Sequence, residues 1–252
     1  MNIKQLIDNG ALFVCNHSAG KDSQVLYLYL KQIIPKQQLI IIHADLGEVE
    51  WPGTLDHIKV TTNHKLFVVK ARRTLLQMVA ERGMFPSPKY RQCTSDLKRG
   101  PINKKIRQYC NEYGFNIVVN CMGLRAQESA NRAKQLSFKI NKTETNLKRT
   151  FYDWLPIHDL LTAEIFEIIA AHNELPHWAY GKGMSRLSCC FCIMASERDL
   201  YTASKLNPIL FKTYVDLEKT IGQTMMMPSK AKGRRFLDEI VNEFKTNIFE
   251  IN

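Results

Sequence analysis

An apolar run, Ala11-Leu12-Phe13-Val14-Cys15, is followed within a few positions by Ser18-Ala19-Gly20-Lys21-Asp22-Ser23, which opens directly into residues 24–34. A short continuous apolar run predicts a strand covered on both faces, and residues 24–34 predict a helix. A strand that turns through small residues into a helix brings free backbone N–H groups and the positive helix end to one place, where an anion is held. Hydroxyls at Ser18 and Ser23 add donors and Lys21 adds a charge. The segment is not a Walker A loop: Lys21 is followed by Asp22, and the first glycine of G-x-x-x-x-G-K-[ST] is missing.

Three further apolar runs read as strands: Leu39-Ile40-Ile41-Ile42-His43, Lys65-Leu66-Phe67-Val68-Val69, and Asn116 through Cys121. Helices are predicted between them over residues 54–62, 74–82 and 100–113, the last with Pro101 in its first turn. This alternation predicts right-handed βαβ units and an α/β, doubly wound, mainly parallel sheet, whose ligands sit beyond the carboxyl ends of the strands. Residues 84–99 read as irregular. Residues 134–150 are polar and basic and read as a mobile excursion or a hairpin; the charges of Lys134, Lys139, Lys142, Lys148 and Arg149 there, and of Lys230, Lys232, Arg234 and Arg235 in the C-terminal stretch, are expected to be solvated and available to nucleic acid. A helix is expected over 162–173, a structured loop over 174–199, and mostly helix from Ile193 onward, interrupted by Pro208 and Pro228. The expected division is a nucleotide-binding domain over 1–192 with a helical extension over 193–252.

The 252 residues carry a net charge of +11, which favours anionic partners, nucleotides or nucleic acid. No apolar stretch approaches the roughly 20 residues that a membrane helix needs. Residues 1–10 lack a signal pattern, so the expected compartment is the cytoplasm and no membrane partner is expected. Seven cysteines without such a signal point to metal or redox use rather than a disulfide framework.

Three more constellations carry chemistry. The second strand runs into His43-Ala44-Asp45-Leu46-Gly47, and an acidic residue past a strand end can face a nucleotide or hold Mg²⁺ through water. Cys93 stands among Arg91, Lys98 and Arg99, a cationic setting that lowers a thiol pKa. The fourth strand leads into Gly123 and Arg125, where a glycine permits a tight turn and an arginine can grip a phosphate bidentately; Glu128 can orient Arg125 or Arg132. Finally, Cys189 and Cys192 have C-x-x-C spacing, which lets two thiolates reach one metal, with Cys93 and Cys190 as further ligand candidates.

These motifs, in this order, resemble the adenine nucleotide alpha-hydrolase (PP-loop) superfamily, which includes N-type ATP pyrophosphatases and sulfonucleotide reductases. Ser-x-Gly-x-Asp-Ser at Ser18–Ser23 is similar to its phosphate loop, with Ala19 where the usual pattern has glycine, a residue that argues against a positive φ there. Asp45, Gly47 and Thr54 match the Asp-Thr-Gly then Glu-Thr pattern of phosphoadenosine phosphosulfate (PAPS) reductases. Gly123 through Arg132 resembles Gly-x-Arg-x-x-Glu-Ser-x-x-Arg, and Trp154-Leu155-Pro156-Ile157 resembles the Trp-x-Pro-Ile connection. Cys189 and Cys192 follow a Tyr-x-x-Gly-x-x-Arg stretch as in cluster-bearing reductases; Cys93 matches one of their Cys-Cys pair and Thr94 replaces the other. The chain is similar to phage and prophage proteins grouped with PAPS reductases and to the ATP pyrophosphatase of DNA phosphorothioation.

The resemblance implies an adenine nucleotide, ATP with Mg²⁺, bound by Ser18, Ala19, Gly20, Lys21, Asp22, Ser23, His43, Asp45, Gly123 and Arg125. Lys21, Asp45 and Arg125 would serve catalysis. It implies a [4Fe–4S] cluster, ahead of Zn²⁺, on Cys93, Cys189 and Cys192, with Cys190 as an alternative fourth ligand. The expected activity is adenylation of an acceptor with pyrophosphate release, toward sulfur insertion into nucleic acid with a sulfur-donor protein as partner. The alternatives are a sulfonucleotide reductase and a non-catalytic nucleotide sensor. The reductases attack sulfur with a tail cysteine, and residues 193–252 contain none.

Overall fold

A computed structural model describes residues 2–249, so the last three residues of the expected C-terminal extension lie outside the described residues. The predicted strands form as β1 (Leu12–Asn16), β2 (Leu39–Asp45), β3 (Lys65–Lys70) and β4 (Ile117–Cys121), joined by β5 (Phe138–Ile140) and β6 (Thr150–Trp154). They make one six-stranded sheet in the order β3-β2-β1-β4-β6-β5. β1 pairs in parallel with both β2 and β4, β4 with β6 in parallel, and β5 closes the edge antiparallel to β6. The 134–150 segment therefore resolves as the hairpin alternative: β5 and β6 pair through Phe138↔Trp154 and Ile140↔Tyr152. Its polar turn hides a strand whose inward residues, Phe151 and Trp154, are buried. From β1 the chain builds outward to β3, then returns across the sheet to place β4 on the other side of β1. The end of β1 is thus the point where strand order reverses, the position at which open α/β sheets bind ligands.

Leu12 and Val14 point to one face and Phe13 and Cys15 to the other, as a period-2 strand demands, and both faces are buried. The phosphate-loop helix spans Lys21–Ile33 and begins three residues earlier than its apolar pattern suggests, because the polar Lys21-Asp22-Ser23 forms its first turn. Helices Thr54–Thr61, Leu75–Arg82 and Gly100–Tyr113 match expectation closely. In the irregular stretch, a single turn at Gln92–Thr94 runs into a π-helical turn at Ser95–Arg99. Past the cysteine-rich loop come helices Glu197–Leu206, Pro208–Ile221 and Leu237–Phe249; Pro208 opens its helix at the first turn, where a missing N–H costs nothing.

The chain forms two compact units, and neither is a contiguous stretch. The first comprises residues 1–44, 53–69 and 102–177, the second residues 45–52, 70–101 and 178–252. The expected boundary at residue 192 falls inside the second unit. The reason is its core, which gathers Val49 and Trp51, then Leu75 and Met78, then Leu200, Tyr214 and Leu237 into one apolar cluster. No helix among the described residues is long and apolar enough to cross a membrane.

Candidate functional site

In the first unit, β1 hands over to the loop through polar anchors. Asn16 Nδ2 donates to Asn120 Oδ1 at 2.7 Å and to the Cys121 carbonyl at 2.9 Å, tying β1 to β4 at their carboxyl ends. The His17 N–H donates to the Ile42 carbonyl at 2.9 Å. Ala19 then takes φ +61°, the left-handed region, which L residues with a Cβ enter at a cost of about 1–2 kcal/mol. The usual glycine is absent, yet the backbone adopts the glycine conformation. Two side chains hold it there. Ser23 Oγ accepts the Ser18 N–H at 3.1 Å and donates to the Gly20 carbonyl at 2.8 Å, and His17 Nδ1 accepts the Ala19 N–H at 3.1 Å. Gly20 is the N-cap of helix Lys21–Ile33, and no side chain caps that end. Ser18 is exposed; Ala19, Gly20, Lys21 and Ser23 are buried and Asp22 is half-buried.

Two cations meet on Asp22. Lys21 Nζ lies 2.8 Å from Asp22 Oδ2, and Arg125 Nε donates to Asp22 Oδ1 at 2.6 Å. Arg125, read in the sequence as a phosphate grip, is buried and committed to protein. Its Nη1 donates to Gln127 Oε1 at 3.1 Å and to the Leu160 carbonyl at 3.0 Å, and its Nη2 to Thr162 Oγ1 at 3.0 Å. At most one N–H of Nη2 remains for a ligand, so Arg125 acts on the loop chiefly through Asp22. Glu128 Oε2 accepts the Arg125 N–H at 2.9 Å and also pairs with Arg132. Gly123 stands against the same turn: a Cβ there would come 3.0 Å from the Asp22 carbonyl oxygen and 3.1 Å from its carbon. Glycine is required at this position for close approach rather than for an unusual φ. His43 is 1 % exposed, with Nδ1 3.0 Å from the His17 carbonyl.

In the second unit, Asp45 holds the turn after β2. Its Oδ1 accepts the Gly47 N–H at 2.7 Å and its Oδ2 lies 2.9 Å from Lys70 Nζ, a hydrogen bond that raises the Lys70 ammonium above its ordinary range. The cysteine loop is tied to the same segment by the Cys190 N–H, which donates to the Val49 carbonyl at 2.9 Å. Cys93, Cys189 and Cys192 are half-buried thiols within electrostatic reach of one another, and Lys98 acts on Cys93 and Cys189. Surrounding cations were expected to lower the Cys93 thiol. Burial outweighs them and raises it, with Lys98 opposing. Burial pushes the Cys189 thiol up to about 11. Cys190, the alternative fourth ligand, packs within the apolar core at 1 % exposure, and burial pushes its thiol to about 12. The Tyr214 hydroxyl, buried beside these thiols, has no hydrogen-bond partner.

The donor chemistry suits a soft metal centre, but the spacing does not close on one. Among the described residues no group of three or more His, Cys, Asp or Glu side chains is arranged to hold a metal ion.

The two basic segments singled out in the sequence differ. Lys134, Lys139, Lys142 and Lys148 of the β5–β6 region are exposed, whereas Arg149, expected to be solvated with them, is buried and donates to the Phe115 carbonyl at 3.2 Å and to Asn111 Oδ1. The C-terminal set is largely consumed within the second unit. Arg235 bridges Glu197 (2.6 Å) and Glu243, Lys232 lies 2.9 Å from Glu243, and Arg234 donates to the Gly222 carbonyl and covers the Phe236 ring. Those charges were expected to be solvated; Glu197 and Glu243, on two helices, instead neutralise Lys232 and Arg235.

Sequence reasoning missed His17, Gln127, Thr162 and Tyr214. His17 holds the loop and Gln127 and Thr162 hold Arg125, and none occupies a position that a motif's spacing announces. His17 alone had a local signal: a hydrogen-bonding side chain two residues before an alanine in a glycine position.

The profile of the phosphoadenosine phosphosulfate reductase domain matches residues 13–195. An uncharacterized protein of Methanocaldococcus jannaschii is 26% identical over 206 residues, 81% of this chain and 47% of its own length. An uncharacterized protein of Escherichia phage 186 is 30% identical over 125 residues, 50% of this chain and 36% of its own. The chain thus spans half or less of the length of these curated relatives. In fold it is similar to PAPS reductase from Candida auris, in its phosphate complex, with a TM-score of 0.50 and 12% identity over 74% of this chain and 85% of that one. The loop at the switch point of a parallel sheet, the Gly123–Arg125 turn packed against it and the profile match agree: the chain belongs to the phosphoadenosine phosphosulfate reductase domain family, within the PP-loop superfamily.

Proposed function

We propose that this chain is an ATP-using enzyme that adenylates an acceptor and releases pyrophosphate, toward sulfur insertion into nucleic acid. The observation that carries this reading is the loop itself. A left-handed Ala19, an N-terminus at Gly20 without a side-chain cap, and the Lys21–Asp22–Arg125 cluster stand at the end of β1. In the reaction, a nucleophilic oxygen of the acceptor attacks the α-phosphorus of MgATP. The bond from that phosphorus to the α–β bridging oxygen breaks, pyrophosphate leaves, and the proton of an acceptor hydroxyl passes to solvent. The loop's N–H groups and Lys21 suit the leaving phosphates, because preorganised donors and cations stabilise charge that grows in the transition state. Arg125 keeps the loop in that geometry through Asp22. His43 is proposed to meet the nucleoside end, and Asp45, with Lys70 beside it, is proposed separately as an acidic group that can hold Mg²⁺ through water. The surface lysines of the β5–β6 region and the net charge of +11 support a nucleic-acid acceptor.

A cysteine-ligated centre on Cys93, Cys189 and Cys192, [4Fe–4S] ahead of zinc, is part of the proposal on the family resemblance of these cysteines and on their soft donor chemistry, and the three thiols would have to draw together to hold it. No chemical step is routed through it. The family match supports one second reading, a sulfonucleotide reductase.

The test is product analysis with radiolabelled MgATP, with total tRNA and duplex DNA as acceptor probes. AMP transfer with stoichiometric pyrophosphate, lost in Lys21→Ala, is expected. ADP and orthophosphate would overturn the reading. Thiol-dependent sulfite release from PAPS would establish the reductase, and nucleotide binding without turnover a sensor.

A further inference from the structure

His17 immediately precedes the loop and is 3 % exposed. Its backbone is clamped on both sides by β2: its N–H donates to the Ile42 carbonyl at 2.9 Å, and its own carbonyl lies 3.0 Å from His43 Nδ1. Its ring reaches forward, where Nδ1 accepts the N–H of Ala19 at 3.1 Å, the residue held at φ +61°. An acceptor at Nδ1 places the proton of the neutral ring at Nε2, and that nitrogen is buried with no partner. An unsatisfied buried N–H is normally selected against, so its presence marks a ring placed for what the other nitrogen does.

We infer that His17 is a positioning residue: a neutral, Nε2-protonated imidazole whose Nδ1 pins the Ala19 amide and holds the phosphate loop in the left-handed turn that receives the nucleotide. In this chain the ring does the work that a glycine at position 19 would make unnecessary. A second proton at Nδ1 would set a donor against the Ala19 donor and release the turn. Burial keeps the ring neutral, and the groups around it reinforce this. His43 on β2 and His57 on helix Thr54–Thr61 oppose a positive charge, and Tyr27 of the loop helix meets the ring edge-on at 6.5 Å. The inference rests on reading the loop as a nucleotide site.

Three measurements on the full chain test it. Histidine ¹⁵N–¹H correlation spectra of the wild type should show His17 Nδ1 unprotonated and Nε2 protonated from pH 8 down to pH 5. Hydrogen exchange at the Ala19 amide, without nucleotide, should quicken at least tenfold in His17→Ala and recover in His17→Asn, whose Oδ1 can accept the same N–H. Calorimetry with MgATP should show His17→Ala losing at least tenfold in affinity, but less than threefold when both proteins carry Ala19→Gly. An Nδ1-protonated ring, unchanged Ala19 exchange, or equal losses with alanine and glycine at position 19 would each overturn the inference. If His17→Ala does not fold, the wild-type spectrum and the Asn variant still decide. If Ala19 exchange depends on His17 while no protein binds MgATP, the nucleotide reading fails and the loop-holding role stands.

Discussion

Arg125 Nε lies 2.6 Å from Asp22 Oδ1, and this bond joins residues 103 positions apart, one in the first turn after β1 and one in the turn after β4. Asp22 also meets Lys21, so a single carboxylate keeps two buried cations in register behind the phosphate loop. Breaking a buried pair by removing one partner typically costs about 3–5 kcal/mol; Asp22 retains some solvent, so about 3 kcal/mol is expected for Arg125→Ala. Arg125→Lys should recover little of it, because a single ammonium cannot reach Asp22, the Leu160 carbonyl and Thr162 together. If Arg125 acts through Asp22, Asp22→Asn and Arg125→Ala will be strongly non-additive in both denaturation and MgATP affinity. Additive losses would mean that Arg125 contacts the ligand independently.

Gly123→Ala tests the close approach behind the loop. Its Cβ would press on the backbone of Asp22 at 3.0–3.1 Å, and backbone cannot swing aside as a flexible side chain does. Overpacking of this kind costs roughly 1–3 kcal/mol. Calorimetry should show weaker MgATP binding together with a lower melting temperature. A variant of unchanged stability and affinity would show that the turn has room.

Burial, reinforced by His57 and His43, holds the His17 imidazole at about 3, against about 6.5 in an unfolded chain. Between these values the unfolded state binds the extra proton and the folded state does not, so stability falls as pH drops from about 6.5 toward 3. His57, also lowered by burial, acts in the same direction. Melting temperature followed from pH 7.5 to 4.5 should fall more steeply for the wild type than for His17→Asn. Parallel curves would count against the buried neutral ring.

Protein purified without oxygen should be brown, with iron and acid-labile sulfide, and should bleach with dithionite. Cys93→Ser, Cys189→Ser and Cys192→Ser should each abolish the colour. Cys190→Ser should retain the metal and lose stability instead, since it buries a hydroxyl in an apolar core. Stoichiometric zinc would change the metal but keep the ligands, and absence of both metals would retire the centre.

Nucleic-acid binding should depend on the surface lysines of the first unit. Reversing Lys139, Lys142 and Lys148 to Glu should weaken binding of tRNA and duplex DNA. It should also flatten the salt dependence, by about 0.9 in log–log slope for each duplex phosphate that is no longer neutralised. Arg235→Glu should lower the melting temperature, because it places a third carboxylate beside Glu197 and Glu243. Salt-titrated fluorescence anisotropy and thermal denaturation separate the two effects; identical behaviour of both variants would contradict this assignment.

The sheet was legible because its first four strands are apolar runs; β1, β2 and β4 are covered on both faces as that pattern implies, whereas β3, at the sheet edge, is exposed or half-buried throughout. β6 escaped because Thr150-Phe151-Tyr152-Asp153-Trp154 mixes polar and aromatic residues after a basic turn. The loop was legible as chemistry but not as conformation. Alanine at position 19 argued against a positive φ, and only the His17 and Ser23 contacts explain why it occurs. Arg125 was found by its place after a strand, whereas its role depended on Asp22, Gln127 and Thr162, partners that spacing does not reveal. The Cys93 environment misled because flanking cations are visible in a sequence and burial is not.

The three-part make-up of the second unit has a consequence during synthesis. The first unit is complete once residue 177 has left the ribosome, so its sheet can close while the rest of the chain is still being made. Val49, Trp51, Leu75 and Met78 must wait for partners as late as Leu237, Ile240 and Val241. From their own synthesis until those late residues have emerged, these apolar side chains lack the partners that bury them. That interval, rather than the nucleotide-binding sheet, is where the nascent protein has most need of a chaperone.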